Sequence, residues 1–122
     1  MNKRFVRCLS LAVVLCAGTL ACDGGDGDEG GGACDRSSTI LGLGTDEANG
    51  ATVFANTCGS SGCHGADGIS GSAPSLATEI PEHNSDELAC ILLAGEGSMP
   101  SQAHLSDQDL ADVIAYVEAT FQ

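Results

Sequence analysis

The sequence predicts a small all-α domain. Three stretches carry apolar residues at the three-and-four spacing of an amphipathic helix, and serine residues suited to capping precede two of them. No run alternates apolar and polar residues well enough to predict a strand. With 122 residues, the chain has room for one such domain and for appendages.

The first two predicted helices flank a long loop. The first helix covers about residues 46–57 and places Gly50 and Phe54 on one face. The second begins after Ser85, a favourable N-cap, and ends at Gly95 or Gly97. The intervening sequence is rich in Gly, Ser and Pro, which predicts an irregular loop over residues 65–84.

The third predicted helix has the clearest boundaries. Ser106 and Asp109 resemble a capping box, and an apolar stripe extends from Leu110 to Phe121. These helices place the folded domain at residues 45–122.

The N-terminus predicts export from a bacterial cytoplasm. Lys3, Arg4 and Arg7 precede an apolar run that is shorter than the roughly 20 residues of a membrane span, so residues 1–21 are interpreted as a signal peptide. Cys22 follows a small residue and resembles the lipidated cysteine of bacterial lipoproteins. A periplasmic lipoprotein is therefore expected, with an ordinary cleaved signal peptide as the alternative.

The segment after Cys22 is predicted to be a tether. Residues 23–33 are almost entirely Gly, Asp and Glu, with no apolar periodicity. The predicted flexible region covers residues 22–44 and would let the domain move above a membrane surface.

Charge narrows the choice of partners. Without the signal peptide, Arg36 is the only Lys or Arg against 17 Asp and Glu residues. Nucleic acid and anionic lipid are poor partners for such a chain, so membrane contact is expected only through a lipid anchor. A redox protein with a basic docking surface is favoured by electrostatic steering, whereas solubility or adaptation to salt explains the charge equally well.

The predicted core is short of large side chains. The chain has no Trp, one Tyr and three Phe, and Phe5 belongs to the signal peptide. A domain of this size is near the lower limit for a self-supporting core. Another apolar body is therefore expected to fill the interior.

The segment Cys58-Gly59-Ser60-Ser61-Gly62-Cys63-His64-Gly65 carries the most specific chemistry. Two thiols followed directly by an imidazole are what covalent haem attachment requires, because each thiol can add to one porphyrin vinyl group and the histidine can bind the iron. The usual spacing has two residues between the cysteines, and this chain has four.

With this motif, the domain resembles the class I c-type cytochromes, which are small monohaem electron carriers. The resemblance spans the domain and consists of blocks in the family's order: Gly50 and Phe54 in the first helix, Cys58 to Gly68, Ala73-Pro74-Ser75-Leu76, Gly95 to Pro100, and Leu105-Ser106-Asp107 before a helix that contains Tyr116. It implies a helical fold wrapped around one covalently bound haem c.

The resemblance also implies the role of each site residue. His64 is the proximal iron ligand, Met99 the ligand on the other face, and Cys58 and Cys63 form the thioethers. The carbonyl of Pro74 accepts the second ring N–H of His64. With both axial positions filled, the protein is expected to transfer one electron and not to act as an enzyme, although it could serve as a subunit of a larger oxidoreductase.

The cysteine spacing leaves two alternatives for attachment. Gly59 to Gly62 are small enough to loop out between two thioethers, or Cys63 bonds alone and Cys58 is free. Once the signal peptide, Cys22 and the haem are assigned, Cys34 and Cys90 remain and are expected to form a disulfide. The alternative is a buried Cys90 and a free Cys34.

Two other classes compete with the cytochrome. A zinc module would combine Cys58, Cys63 and His64 with a fourth ligand, but the sequence lacks a second closely spaced ligand pair. The candidates for the fourth ligand are His83, His104 and Cys90. In a cytochrome, His83 and His104 are expected at the surface. A disulfide-stapled binding or structural domain without a cofactor explains the cysteines but not the Gly-Ser-Met-Pro turn or the weak core.

Overall fold

A computed structural model describes residues 31–122, and these residues form a helical domain. The α-helices are α1 (Gly31–Cys34), α2 (Ser37–Leu41), α3 (Glu47–Val53), α4 (Leu76–Glu79), α5 (Ser85–Ala94) and α6 (Asp107–Phe121). Within this part of the chain, the only β-type pairing is an isolated bridge between Glu96 and Met99. The predicted all-α fold is confirmed. The signal peptide, Cys22 and the start of the tether lie outside the described residues.

Helix α3 begins at a side-chain cap and ends in a change of helix type. The Asp46 carboxylate accepts hydrogen bonds from the amides of Ala48 and Asn49. From Phe54 to Cys58 the chain continues as a π-helical turn. The predicted first helix therefore has nearly the expected extent. Its wider last turn ends on Cys58, and such turns often occur at functional sites.

Gly50 allows α3 to lie directly against α6. A Cβ atom placed on Gly50 would lie 2.8 Å from Cβ of Tyr116 and still closer to the Asp112 carbonyl. One turn later, the rings of Phe54 and Tyr116 pack with their centroids 5.5 Å apart. Gly50 is thus a position at which α3 and α6 approach too closely for any larger side chain.

Replacing Gly50 by alanine is expected to destabilise the protein by about 2–3 kcal/mol, because the new methyl group must displace backbone atoms of α6. This cost exceeds the gain of about 1 kcal/mol from replacing a helical glycine. Denaturant unfolding of the mature holoprotein measures the difference. Gly44→Ala is the control, since nothing lies within 4 Å of a Cβ at that position, and equal stability of the two variants would contradict the prediction.

A buried carboxylate also joins α3 to α6. Asp112 is only 1% exposed and accepts hydrogen bonds of 2.8 Å from the Asp46 amide, the Asn49 side chain and the Gln108 side chain. Burial raises the pKa of Asp112, but these three donors outweigh it and hold the pKa below its usual value. The carboxylate is therefore ionised and fully paired at neutral pH.

Asp112→Asn should cost about 1–3 kcal/mol at pH 7, because the amide cannot accept all three hydrogen bonds. A lowered folded-state pKa contributes stability above the unfolded value of about 3.9, and that stability is lost as the pH falls through the folded pKa. The gap between wild type and variant should consequently shrink from pH 7 to pH 3. Urea unfolding at both pH values tests this, with exposed Asp86→Asn as the control; a gap independent of pH would contradict it.

The caps of α5 and α6 define the ends of the site loops. The sequence predicted Ser85 as the N-cap of α5, but the structure has Asn84 in this position. Asn84 and Glu87 form a reciprocal capping box. Helix α5 ends at Gly95, whose φ of 81° favours glycine. Ser106 caps α6 by accepting from the Asp109 amide, as predicted.

The predicted irregular loop over residues 65–84 contains a short helical segment. Helix α4 is followed by a 3-10 turn, Ile80–Glu82. Leu76 and Ile80 are buried against Leu88, Val113 and other core residues. This tertiary contact stabilises a segment that is too short to form a helix alone.

The predicted tether differs from the structure in its second half. Residues 31–41 include α1 and α2, and Ile40 is fully buried against α5 and α6. A disulfide joins Cys34 to Cys90, with 4.8 Å between their Cα atoms. The folded unit therefore begins well before residue 45, because apolar packing and a cross-link attach this segment to the domain.

The core consists of two clusters that share α6. Val113 and Val117 belong to the first cluster with Phe54, while Leu110 and Ile114 belong to the second with Ile40. The first cluster borders the site described below, and the second also reaches it through Ile114.

Candidate functional site

A cavity of about 570 Å³ opens into the first core cluster. Side chains of α4, α5, α6 and the π-helical turn after α3 border it, including Leu76, Leu88, Val113 and Phe54. This volume is typical of small-molecule and cofactor sites. Cys58, Cys63, His64, Pro74 and Met99, the five residues expected at the haem, all line this one cavity.

The chain between the two cysteines folds back on itself. The Cys63 amide donates to the Ser60 carbonyl over 3.0 Å, and the His64 amide donates to the Cys58 carbonyl over 3.1 Å. The four intervening residues therefore form a closed turn that leaves both thiols at the cavity. Neither Cys58 nor Cys63 takes part in a disulfide.

The next residues return along this turn and bring Pro74 to His64. The amides of Gly71 and Ala73 donate to the carbonyls of His64 and Cys63, over 3.1 and 2.9 Å. Asp67 holds the bend by accepting from the amides of Ile69 and Ser70. These hydrogen bonds, that from the Ile69 amide first, lower the pKa of the Asp67 carboxyl.

The His64 ring has a defined orientation. Its Nδ1 lies 3.1 Å from the Pro74 carbonyl oxygen. A carbonyl can only accept a hydrogen bond, so this contact places the proton on Nδ1 and leaves the lone pair of Nε2 for a metal. The structure thus pairs Nδ1 of His64 with the carbonyl of Pro74, the partner that the family resemblance implied.

The Cys58 thiol is held in its neutral form. Burial, and secondarily the neighbouring Cys63, raises the pKa of Cys58 to about 11. At neutral pH this group is therefore an S–H and not a thiolate.

Met99 reaches the cavity from a tight turn after α5. The Glu96 amide donates to the Met99 carbonyl over 3.1 Å, and the Met99 amide returns a bond of 2.8 Å to the Glu96 carbonyl. Gly97 takes a φ of 55° at the tip of this turn. The half-buried thioether thus belongs to a backbone-defined loop and not to the helical core.

Two polar side chains at the cavity were missed by sequence reasoning. His83, expected at the surface, is half-buried and lines the cavity, with Nδ1 3.6 Å from the Glu87 carboxylate. Glu79, from α4, lies on the same wall. The i, i+4 spacing of His83 and Glu87 can be seen in the sequence. The short helical segment before His83, which places this side chain at the cavity, could not be recognised there. His104 is exposed, as expected.

The zinc alternative lacks a ligand set in the structure. Across residues 31–122, no three His, Cys, Asp or Glu side chains are grouped as a metal site. Cys90, one of the fourth ligands considered, is bonded to Cys34.

The donor set and the cavity fit one cofactor. An apolar space, two thiols, an oriented imidazole and a thioether are the groups by which c-type cytochromes hold haem. A family model described as "Cytochrome C oxidase, cbb3-type, subunit III" matches residues 45–117. The chain belongs to this family of c-type cytochrome domains, and its cofactor is covalently bound haem c. Neither a search of curated proteins nor a search of solved structures finds a match.

Family membership assigns electron transfer as the general activity.

Over the described range, 31–122, no helix is both long enough and apolar enough to cross a bilayer.

Proposed function

We propose that this protein is an exported, monohaem electron carrier with His64 and Met99 as axial ligands and with thioethers from both Cys58 and Cys63. The observation that carries the proposal is the 3.1 Å contact between His64 and Pro74 in a cavity that also receives Met99 and both thiols. Each thiol S–H adds across one vinyl C=C, so the sulfur bonds to carbon and the hydrogen stays on the product.

When bound, the haem supplies a one-electron exchange between Fe(III) and Fe(II). His64 keeps Nε2 available by donating from Nδ1 to Pro74. The soft sulfur of Met99 favours the reduced state and raises the potential relative to two histidines. Apolar neighbours such as Phe54 and Val113 exclude water and add to this effect, whereas Glu79 and Glu96 oppose it. We expect the sulfur ligand and the apolar surroundings to dominate, which gives the haem a positive reduction potential.

The surface charge favours a basic redox partner. Arg36, the sole Lys or Arg of residues 31–122, is paired with Asp107 and does not offset the many surface carboxylates. Such a surface steers positively charged partners, and this steering weakens as salt increases. The family's description names an oxidase subunit, and delivery of electrons to an oxidase is one setting for this chemistry.

Export and anchoring complete the proposal. The Cys34–Cys90 disulfide is suited to an oxidising compartment outside the cytoplasm. Residues 1–21 would direct export, and lipidated Cys22 would tether the domain to the periplasmic face of a membrane.

An absorbance spectrum of the protein, exported with a cytochrome c maturation system, tests the proposal. A sharp reduced α band, with haem stain retained on a denaturing gel, is expected for covalent attachment. A weak red-end band in the oxidised protein is expected for the Met99 sulfur on iron. Absence of a Soret band in matured material would overturn the proposal and favour the disulfide-stapled domain without a cofactor.

A further inference from the structure

The segment over residues 31–43, here called the N-terminal clamp, lies before the region that the family model matches. It nevertheless makes specific contacts on both sides of the Met99 turn. These contacts connect the clamp to the candidate site, although the clamp contains none of the expected haem-binding residues and lies outside the family match.

The clamp first fixes α5, the helix that leads into the Met99 turn. Cys34 is bonded to Cys90 in the second half of this helix. Ile40 is fully buried in the cluster that contains Ala89 and Leu93 of the same helix. The end of α5, from which the turn departs, is therefore attached to the clamp by a covalent bond and by apolar packing.

The clamp also fixes the chain that leaves the Met99 turn. The Arg36 guanidinium donates to the carbonyl of Ala103 over 3.1 Å and to that of Leu105 over 3.4 Å. It also forms an ion pair with Asp107 at the start of α6. One planar side chain with several donors thus contacts three points, at Ala103, Leu105 and Asp107, along the chain that leaves the turn.

Between these fixed ends, the turn is attached to α5 by few contacts. Ser101 Oγ donates to the Leu93 carbonyl over 2.6 Å, and the Gln102 amide donates to the Leu92 carbonyl over 2.7 Å. Segments with few buried contacts are the first to open locally. How often this loop opens therefore depends on how firmly its two ends are held.

We propose that the N-terminal clamp, with Arg36 as its positioning residue, keeps the Met99 sulfur at the iron by holding both ends of the loop over residues 95–105. The inference rests on the proposed ligation by Met99. Arg36 touches no cofactor and acts only through the loop. Loosening the clamp raises the fraction of protein in which the sulfur is away from the iron.

The test compares Arg36→Gln with wild type as mature holoproteins. In the reduced state, carbon monoxide binds only when Met99 is displaced, so the variant should bind it about tenfold faster, which corresponds to ~1.4 kcal/mol in the opening equilibrium. The red-end band of the oxidised variant should be lost at a lower denaturant concentration than that at which α6 unfolds. Arg36→Lys should bind carbon monoxide at a rate between those of wild type and Arg36→Gln, since lysine keeps one donor group.

Asn49→Ala is the matched control. It removes hydrogen bonds to Asp109 and Asp112 that join α3 to α6, and neither bond involves the clamp or the loop over residues 95–105. It should lower global stability without changing the rate of carbon monoxide binding. The double variant Cys34→Ser/Cys90→Ser loosens the other side of the clamp and should act in the same direction as Arg36→Gln.

Two results would overturn the inference in different ways. If wild type shows the red-end band and Arg36→Gln binds carbon monoxide at the wild-type rate, Met99 ligation stands and the clamp has no part in it. If wild type already binds carbon monoxide as fast as Met99→Ala does, the ligation itself is wrong and the clamp's role falls with it.

Discussion

Met99→Ala is expected to lower the reduction potential by on the order of 0.1–0.3 V, a modest part of the ~0.8 V over which axial ligands tune haem proteins. The sulfur stabilises Fe(II), and alanine offers no donor in its place. The turn itself should persist, because its hydrogen bonds with Glu96 use only backbone atoms. An electrode titration of the purified holoprotein measures the change.

The same variant should lose the red-end band and bind carbon monoxide readily once reduced. Ser98→Ala is the control, since Ser98 belongs to the same turn and lines the same cavity but has no sulfur. A potential that is equal in Met99→Ala and wild type would contradict ligation by Met99. A large fall in the Ser98 variant would instead assign the effect to the turn.

Local chemical patterns in the sequence were sufficient to predict the three long helices. Helix α6 has a capping serine and an apolar stripe within one continuous segment, and both are properties of neighbouring residues. The N-cap of α5 lies one residue before the predicted position, for a simple reason. Asn84 and Ser85 are both favourable caps, and only the reciprocal contact with Glu87 selects Asn84.

The N-terminal clamp could not be predicted in this way. Helices of four or five residues carry too little periodicity to be recognised, and their stability comes from tertiary contacts. Ile40, Leu41 and Leu43 are too few and too closely spaced to indicate a helix, and their burial depends on a groove formed by α5 and α6. Arg36 was recognised only as the last cation, because its acceptors lie more than 60 residues away.

The candidate site was predictable because its most distinctive part is local. Cys58, Cys63 and His64 are adjacent in sequence, and the family resemblance supplied Pro74 and Met99. Their approach to one cavity depends on the turn after Cys58 and on the bridge between Glu96 and Met99. The inward position of His83 depends on α4 and the 3-10 turn after it, whose two buried side chains, Leu76 and Ile80, were too few to indicate a helix.

Replacing both Cys58 and Cys63 by serine should abolish covalent haem and prevent stable folding. Without haem, the apolar side chains that line this open cavity, such as Phe54, Leu88 and Val113, lose the surface that would cover them. A domain near the lower limit for a self-supporting core has little stability to offset that loss. The double variant should therefore retain no haem stain and show little helical circular dichroism.

The single variants test whether the widened spacing still allows two thioethers. Because the hydrogen bond between the His64 amide and the Cys58 carbonyl closes the turn, both thiols line the cavity, and wild type should carry two thioethers. Cys58→Ser should then keep its haem through Cys63 but move the reduced α band to the position of a single thioether. The control Ser60→Ala changes an exposed side chain of the same turn that carries no thiol, and it should retain the wild-type band position. If Cys58→Ser leaves the band where it is in wild type, Cys63 alone binds the haem and the turn at Cys58 has only a structural role.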